Sequence, residues 1–341
     1  MRVARAIQWF AARPATAYKT RVSQESPTEL PEKFLERLQE IVPPDRLEGV
    51  VESFLASKAA TFRVNTLRAA DEDVLAELTA INTEAQPVEG LAHVFRTEAA
   101  CRRALVRCKA FSEGRLYVQN VSSLLAAPAL NVEPGMAVLD LAAAPGGKTL
   151  HLACLMDNTG TLSAVESARG RFFRLRNNLR MHGVTCCRSF LKDGRKVGRV
   201  CRAQFDRVLL DAPCSGEAQL GGTGNAGSPN WYERKIRQCA GKQRALLTSA
   251  VEACRPGGLV LYCTCSMAPE ENEAVIADAL KRFAGELEVE PVPIPPASVG
   301  AATPALSSWR GRSWPAELAA AVRILPDNWF DAFFLCRLRK A

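Results

Sequence analysis

The sequence predicts an α/β fold, in which helices wrap a mostly parallel sheet and a smaller α+β domain precedes it. From Pro134 onward, short apolar runs alternate with helix-like stretches, which is typical of such a sheet. One run leads directly into a glycine-rich turn and a helix, AVLDLAAAPGGKTL (137–150), a pattern found where backbone amides hold a ligand. The 341 residues, 48% hydrophobic and 23% charged, have room for about two domains with a sizeable core.

Charge and cysteine content restrict the classes of function. Lys and Arg outnumber Asp and Glu by 44 to 36, and this excess of +8 permits a nucleic-acid partner without requiring one. No apolar run approaches the roughly 20 residues that span a bilayer, so we expect no membrane partner. The 12 cysteines include no CxxC pair and only three histidines accompany them, so we expect no metal site. Without a secretory leader, these thiols favour a reducing, cytoplasmic location.

The first residues, 1–24, carry arginine and lysine but no acid. Such a composition occurs in organellar transit segments, and it is equally compatible with a basic first helix or a tail that touches a polyanion. We favour the basic tail or helix and assign it to residues 1–30.

Residues 31–112 form the predicted N-terminal domain. Apolar residues recur at three- and four-residue spacing on both sides of Pro43-Pro44, which predicts two helices before residue 58. A strand over 59–68 and a short helix over 71–78 follow. Basic side chains then accumulate, and they form either a solvated face or a face that contacts phosphate. They are Arg96, Arg102, Arg103, Arg107 and Lys109.

The remaining residues, 113–341, carry the predicted sheet. Its strands are AVLDLA, TLSAVE, an irregular strand near 185–191, RVLLDAP and LVLYCTC. Between the second and third strands, RGRFFRLRNNLRMHG (169–183) predicts a basic amphipathic helix whose arginines face solvent or add to a field that attracts phosphate. The residues predicted to face inward are Phe172, Leu175, Leu179 and Met181. The Pro- and Ala-rich segment 291–308 is predicted to be a surface insertion or linker.

Two interpretations of the glycine-rich turn compete with a plain strand–helix corner. A phosphate loop would end in Gly147-Lys148-Thr149, but Ala142 stands where its first glycine belongs and Pro145 fixes a backbone angle inside it. A phosphate loop would indicate an NTPase, and the aspartate that ends RVLLD resembles the Walker B aspartate of such enzymes. A nucleoside-type cofactor site instead predicts an acid that ends the next strand and holds ribose hydroxyls. Glu166 occupies that position in TLSAVE.

Reactive side chains follow two later strands. FDRVLLDAPCSG places Asp211 at a strand tip with Cys214 in the turn behind it, and LVLYCTC ends in Cys263 and Cys265. Because the ends of parallel strands meet in one crevice, we expect these groups beside the glycine-rich turn. A lone thiol is more often core packing, but two thiols beside an acid and a cofactor turn suit methylation of a pyrimidine at C5. A thiolate that adds to C6 makes C5 nucleophilic, provided that the base is unstacked.

These residues resemble the Nol/Nop/Sun family of S-adenosylmethionine-dependent RNA cytosine-5 methyltransferases. Its motifs occur in order as FRVNTLR (62–68), YVQNVSSLLAA (117–127), DLAAAPGGKT (140–149), DAPCSG (211–216), YCTCS with PEENE (262–273) and WFDAFFLCRLRK (329–340). Ala142 replaces a frequent Cys, and Ala332 replaces the usual Gly. After DAPCSG, a glycine-rich loop (218–229) replaces the family's Gly-Thr and arginines, which leaves the RNA target open.

The resemblance implies a Rossmann-like class I methyltransferase domain at 113–341 and an RNA-recognition-like domain at 31–112. It implies S-adenosylmethionine as the cofactor and RNA as the partner, with ribosomal RNA favoured over transfer RNA on family prevalence. We expect a monomer. Cys265 would attack C6, Cys214 would assist release of the RNA adduct, and Asp211 would contact the cytosine beside the cofactor.

The resemblance also implies a cofactor site. Lys148 would lie near the reacting centre, Glu166 would bind the ribose hydroxyls, and Asp193 would lie by the adenine. The methionine portion would lie on the turn formed by Ala142, Ala143, Ala144, Pro145, Gly146, Gly147 and Lys148.

Overall fold

The computed structural model describes residues 30–220 and 231–341. The predicted basic tail lies outside the described residues except for Leu30, and so does most of the glycine-rich loop at 218–229. Within the described ranges the chain forms a small four-stranded sheet, a large nine-stranded sheet and a two-stranded hairpin.

The first part of the chain builds the small sheet and the helices near it. β1 is its central strand, lies between β3 and β4 in antiparallel pairing, and is buried along its whole length. The strand and helix predicted over 59–68 and 71–78 are confirmed. The elements in chain order are α1 (Glu32–Ile41), α2 (Leu47–Leu55), β1 (Ala60–Val64), α3 (Asp71–Ala80), β2 (Gln86–Pro87), β3 (Val94–Thr97), α4 (Arg102–Leu105), α5 (Lys109–Ser112) and β4 (Leu116–Val118).

The second part of the chain builds the large sheet, the helices on its two faces and a short hairpin. Its elements in chain order are α6 (Val121–Leu124), α7 (Ala126–Ala129), β5 (Ala137–Asp140), α8 (Gly147–Leu155), β6 (Thr161–Glu166), α9 (Arg169–Met181), β7 (Cys187–Leu191), α10 (Val197–Val200), β8 (Phe205–Asp211), α11 (Glu233–Ala253), β9 (Cys254–Thr264), α12 (Glu273–Arg282), β10 (Leu287–Glu290), β11 (Ala302–Pro304), β12 (Ser308–Trp309), β13 (Arg312–Ser313), β14 (Val322–Ile324) and β15 (Phe333–Lys340).

Five parallel strands of the large sheet lie in the order β7-β6-β5-β8-β9. Antiparallel β15 continues the sheet beyond β9, and it pairs on its other side with β14 and β10. The inner strands read as continuous apolar runs because helices cover both faces of the sheet. The irregular strand predicted near 185–191 is the edge strand β7, whose partial exposure explains its weak apolar pattern.

The basic amphipathic helix is α9, and it packs on the sheet as predicted. Phe172, Leu175 and Leu179 are buried, and the arginines of the helix are exposed. Met181, the last residue of the helix, is partly buried.

The packing units differ from the predicted domain limits. Phe34, Leu38 and Phe54 of α1 and α2 belong to the core shared by β8, β9 and α11, so these helices pack on the large sheet. In contrast, β4 lies beyond residue 112 but pairs with β1. The small sheet therefore extends to residue 118, and its packing unit excludes the first two helices.

The segment 291–308 is more than a surface linker. β11 pairs with β14 and extends the large sheet, while Val292, Ala301 and Ala305 are buried in its core. No helix within the described ranges is both long and apolar enough to cross a membrane.

Candidate active site

The parallel strands present their carboxyl ends at one edge of the large sheet, and the predicted site residues collect there. Glu166 ends β6 opposite Leu191 of β7. Asp211 ends β8 opposite Cys263 of β9, two residues before Cys265. The fold thus brings residues from separate motifs to one edge, as parallel pairing requires.

The turn Ala142–Lys148 joins β5 to α8 at this edge. Gly146 has a φ of +110° at the start of α8, a conformation that favours glycine. A Cβ on Gly146 would lie 3.0 Å from Leu175 Cδ1, and one on Gly147 would lie 2.8 Å from Tyr117 Cε1. Both glycines are therefore required by the close approach of α9 and β4.

Side chains of α9 hold the carbonyl groups of the same turn. Asn178 Nδ2 donates to Pro145 O at 2.8 Å, and Arg171 donates to Ala144 O. Ala143 and Ala144 are buried against the α9 face. The turn is therefore fixed by packing and by hydrogen bonds before any ligand binds.

A cleft of 450 Å³ opens where β5, β6 and β7 end, and we call it the Glu166 cleft. Glu166 is only 4% exposed, and its Oε1 accepts a hydrogen bond from Ala168 N at 2.8 Å. Its Oε2 lies 3.6 Å from Arg171 Nε, beyond hydrogen-bond distance, and can accept from a ligand. The lining includes Leu141, Ala142, Glu166, Arg171, Leu191, Asp193 and Lys242.

Asp193 lies in the Glu166 cleft, but its carboxylate is already engaged. Arg195 donates to it from its backbone N and from its guanidinium, with Nη2 2.7 Å from Oδ2. These hydrogen bonds lower the pKa of Asp193, although partial burial opposes the shift. Asp193 therefore remains ionised, and Arg195 already donates to both of its carboxylate oxygens, whereas Glu166 keeps one oxygen without a hydrogen bond.

A second cleft of 540 Å³, the cysteine cleft, adjoins the first, and Arg171 and Pro213 line both. Cys214 Sγ and Cys265 Sγ lie in it 2.7 Å apart. The Cys265 thiol, followed by burial, raises the pKa of Cys214 well above its usual range. The raised pKa favours the thiol form of Cys214, and either sulfur can be the donor in the contact.

Lys148 and Asp211 lie together beside the two cysteines. Lys148 Nζ donates to Asp211 Oδ2 at 2.8 Å and to Ser123 Oγ at 2.6 Å. Burial opposes the charge on Lys148, but the nearby Asp211 outweighs it, so that the pKa of Lys148 is raised. Lys148 therefore stays cationic and holds one carboxylate oxygen of Asp211 in place. Cys263, in contrast, is fully buried in β9, and burial raises its pKa.

The sequence interpretation missed Asp140, the last residue of β5. It is 1% exposed and accepts from Thr149 Oγ1 at 2.7 Å through Oδ2, whereas Oδ1 has no hydrogen-bond partner among the residues that the structure describes. Burial is the main reason that its pKa rises to about 7, although the hydrogen bond from Thr149 opposes this. An acid inside the apolar run AVLDLA was the signal that could have revealed it.

The sequence interpretation also missed residues from α11 and from the segment before it. Trp231 and Lys235 line the cysteine cleft, together with Gln219 and Leu220. Gln219 and Leu220 lie within the glycine-rich loop, and Trp231 and Lys235 follow it. The family pattern is interrupted in this part of the sequence, so no motif pointed to these residues.

Comparison with known proteins places the chain in a family. The family model described as 16S rRNA methyltransferase RsmB/F matches residues 127–339.

The chain belongs to this family.

Two curated relatives and one solved structure illustrate how similar this RsmB/F-family protein is to known members. Ribosomal RNA small subunit methyltransferase F of Vibrio campbellii is 37% identical over 265 residues, which cover 76% of this chain and 55% of the relative. tRNA (cytosine(49)-C(5))-methyltransferase of Pyrococcus abyssi is 33% identical over 231 residues, or 67% of this chain and 72% of the relative. A methyltransferase homolog protein from Pyrococcus horikoshii superposes with a TM-score of 0.75 at 30% identity, covering 92% and 100% of the two chains.

These matches confirm the predicted resemblance and the Rossmann-like class I methyltransferase fold. The methyltransferase family model covers both Gly147-Lys148-Thr149 and RVLLD, the two features that had suggested a phosphate loop. The phosphate-loop interpretation is therefore set aside. The chain spans about half the length of the curated rRNA methyltransferases that it matches.

Proposed function

We propose that this RsmB/F-family protein is an RNA cytosine-5 methyltransferase that uses S-adenosylmethionine and forms a covalent bond between Cys265 and C6 of the target base. The observation that carries the proposal is the 2.7 Å contact of the Cys214 and Cys265 sulfurs in a cleft beside Asp211 and Lys148. The adjoining Glu166 cleft provides the separate cofactor site that such chemistry needs.

The residues of the Glu166 cleft fit this cofactor. S-adenosylmethionine supplies an electrophilic methyl group when bound. Glu166 Oε2 is an acceptor within the cleft that suits ribose hydroxyls. Behind the cleft lining, Asp140 Oδ1 is buried two residues before the turn without a partner among the described residues, and it is an acceptor that suits a ligand ammonium group. Asp193 contributes at the adenine end, where Arg195 restricts its carboxylate.

The two thiols have different roles. A thiolate is the reactive form of cysteine, and we assign the attack to Cys265, as the family resemblance implies, with the Cys214 sulfur in contact with it. Addition of the Cys265 sulfur at C6 forms the carbon–sulfur bond and makes C5 the nucleophile for methyl transfer. Transfer of the C5 proton to solvent then re-forms the C5–C6 double bond, and the electron pair of the broken carbon–sulfur bond returns to Cys265. Cys214, in contact with the leaving sulfur, assists this release.

Lys148 and Asp211 orient the base. Asp211 has one oxygen held by Lys148 Nζ, and it lines the cysteine cleft with its carboxylate 36% exposed. A carboxylate in this position can accept from the exocyclic amine of cytosine, a group that uracil lacks. Lys148 holds Asp211 in place, so the pair favours cytosine over uracil.

Ribosomal RNA is the substrate that we favour, and the cytoplasm is the compartment in which we propose that the protein acts. The relatives named small subunit rRNA methyltransferases support this choice, and the tRNA methyltransferase from Pyrococcus abyssi supports transfer RNA as the alternative. The glycine-rich loop replaces the segment that would otherwise help to decide between them.

The covalent mechanism is tested by trapping the adduct. We expect Cys214→Ala, incubated with total cellular RNA and S-adenosylmethionine, to give a nuclease-sensitive band that survives denaturing electrophoresis, because attack continues and release fails. Cys265→Ala should give neither the band nor methyl transfer, while its affinity for S-adenosylmethionine stays near that of the wild type. Sequencing of the trapped RNA then identifies the substrate.

The matched control is Cys101→Ala, a thiol outside both clefts, which should leave methyl transfer intact and trap nothing. The double variant Cys214→Ala/Cys265→Ala should lose the band. A band that persists in the double variant, or no band with either naked RNA or small ribosomal subunits, would contradict the two-cysteine mechanism.

A further inference from the structure

The residue after each cysteine of the cleft is a buried serine, and each serine is held by a buried glutamate. Ser215 follows Cys214 and is 6% exposed, and Ser266 follows Cys265 and is 1% exposed. We call Ser215, Ser266, Glu217 and Glu271 the serine–glutamate network. The family resemblance assigned no role to any of them.

Glu271 fixes the turn after Cys214. Its carboxyl group accepts from Ser215 N, with distances of 2.9 and 3.2 Å to its two oxygens, and from Ser215 Oγ at 2.8 Å. Glu271 is fully buried, and burial raises its pKa to about 7. Lys235 Nζ donates to Ser215 O at 2.6 Å, so Ser215 is held at three polar atoms.

Glu217 fixes the turn after Cys265. Its Oε2 accepts from Ser266 Oγ at 3.0 Å and from Met267 N at 2.9 Å. Its Oε1 accepts from Trp231 Nε1, also at 2.9 Å. Glu217 is 1% exposed, and it belongs to the chain segment that leaves the Cys214 turn. One side chain from the first cysteine motif therefore holds the backbone of the second.

Two further contacts join the halves of the network. Ser215 Oγ and Ser266 Oγ lie 3.3 Å apart, and Ala218 N donates to Cys265 O at 3.1 Å. On the other side of Cys214, Gln243 Nε2 donates to Pro213 O at 3.0 Å. Both cysteine turns are thus parts of one hydrogen-bonded unit that has little access to solvent.

We propose that Glu271 and Glu217 are positioning residues that hold the Cys214 and Cys265 sulfurs in contact. The proposal rests on the proposed function in one respect, since it assumes that these sulfurs are the catalytic pair. Two thiols on separate turns keep a fixed separation only if both turns are fixed to each other, and a buried carboxylate that accepts several hydrogen bonds provides this. A displacement of either sulfur by about 1 Å is enough to slow the methyl-transfer reaction strongly.

The first test measures the sulfur contact without RNA. Diamide oxidises two adjacent thiols to a disulfide, and the two protons and two electrons that they lose reduce it to a hydrazine. We expect the wild type to form the Cys214–Cys265 disulfide rapidly, and Glu271→Gln and Glu217→Gln to form it about tenfold more slowly, as peptide mapping would show. Removal of a carboxylate charge alone would favour the thiolate and speed the reaction, so a slower rate reports geometry.

Glu270→Gln is the matched control. Glu270 is the sequence neighbour of Glu271, but its carboxylate pairs with Arg37 and lies outside the network. Its variant should oxidise at the wild-type rate. Ser215→Ala and Ser266→Ala provide a second pair of variants, in case a glutamate variant fails to fold. Each removes a hydroxyl group and its hydrogen bonds without a change of charge, and each should also slow oxidation. All variants should bind S-adenosylmethionine with wild-type affinity.

The second test follows a single turnover on RNA, with formation and release of the covalent adduct measured separately. Glu271→Gln should slow release more than formation, because Glu271 holds the Cys214 turn, and Glu217→Gln should slow formation more, because Glu217 holds the Cys265 turn. Wild-type oxidation rates in both glutamate variants would overturn the proposal. Slower oxidation combined with no adduct in Cys214→Ala would instead overturn the proposed function and leave the positioning role intact.

Discussion

Glu166 shows how much one residue of the site depends on its position in the sheet. It ends a strand beside the glycine-rich turn, it is buried, and only one of its two oxygens accepts a hydrogen bond from the backbone. We expect Glu166→Ala to weaken binding of S-adenosylmethionine about tenfold to a hundredfold, since a hydrogen bond to a charged group contributes about 1.5–3 kcal/mol. Isothermal titration calorimetry measures this directly.

The control for this substitution is Glu288→Ala, an exposed glutamate on β10 that lines neither cleft. It should bind the cofactor as the wild type does. An unchanged dissociation constant in Glu166→Ala would remove Glu166 from the cofactor site.

At the residue scale, the sequence predicted the reactive side chains at strand ends, but not the buried side chains that hold them in place. Glu166, Asp211, Cys214 and Cys265 could be predicted because each ends an apolar run or lies in a turn after one. Glu271 and Glu217 could not, because the residues that they hold lie 56 and 49 positions away in the chain. Hydrogen bonds over such separations leave no periodic pattern in the sequence.

At the scale of elements, the start of α8 depends on glycine. Gly146 has a φ of +110°, and a Cβ there would meet Leu175 Cδ1 at 3.0 Å. We expect Gly146→Ala to lower the free energy of unfolding by about 1–2 kcal/mol or more, because a left-handed conformation is costly for any residue with a Cβ. Denaturant unfolding measures the loss, and weaker binding of S-adenosylmethionine should accompany it.

Gly241→Ala is the control at this scale. Gly241 lies inside α11 with open space around its Cα, so a methyl group meets no neighbour. Alanine in a helix interior should raise stability by roughly 0.5–1 kcal/mol. If both substitutions changed stability in the same direction, the conformational explanation for Gly146 would be wrong.

The sequence predicted most elements but not all of their partners. Apolar periodicity gave the strands of the large sheet and the buried face of α9, because each of these elements buries a continuous stripe of its own residues. It assigned α1 and α2 to the N-terminal domain, whereas the structure packs them on the large sheet. An amphipathic helix specifies which of its faces is buried, but not which surface covers that face.

At the scale of the molecule, a buried ion pair joins the last strands to the cysteine region. Arg323 of β14 is 3% exposed, donates to both carboxylate oxygens of Glu273 in α12, and donates to Met267 O at 2.9 Å. We expect Arg323→Met to destabilise the protein by about 3–5 kcal/mol, because it leaves the Glu273 charge buried without its partner. Denaturant unfolding at neutral pH is the measurement.

A surface pair provides the comparison. Arg312 and Asp278 lie 3.6 Å apart with both side chains exposed, and Arg312→Gln should change stability by less than about 1 kcal/mol. The double variant Arg323→Met/Glu273→Leu should recover part of the loss, because no charge then stays buried alone. Equal effects of Arg323→Met and Arg312→Gln would show that the buried pair does not hold the C-terminal strands.

By itself, the sequence determined the family, the α/β architecture and the candidate reactive groups, because these depend on local motifs and on the alternation of apolar runs. Only the tertiary structure decided that the two sulfurs touch, that Lys148 holds Asp211, and that two buried glutamates hold the cysteine turns. The physical reason is that distances between side chains on different strands are fixed by sheet register and by hydrogen bonds between residues far apart in the chain, which no short stretch of sequence encodes.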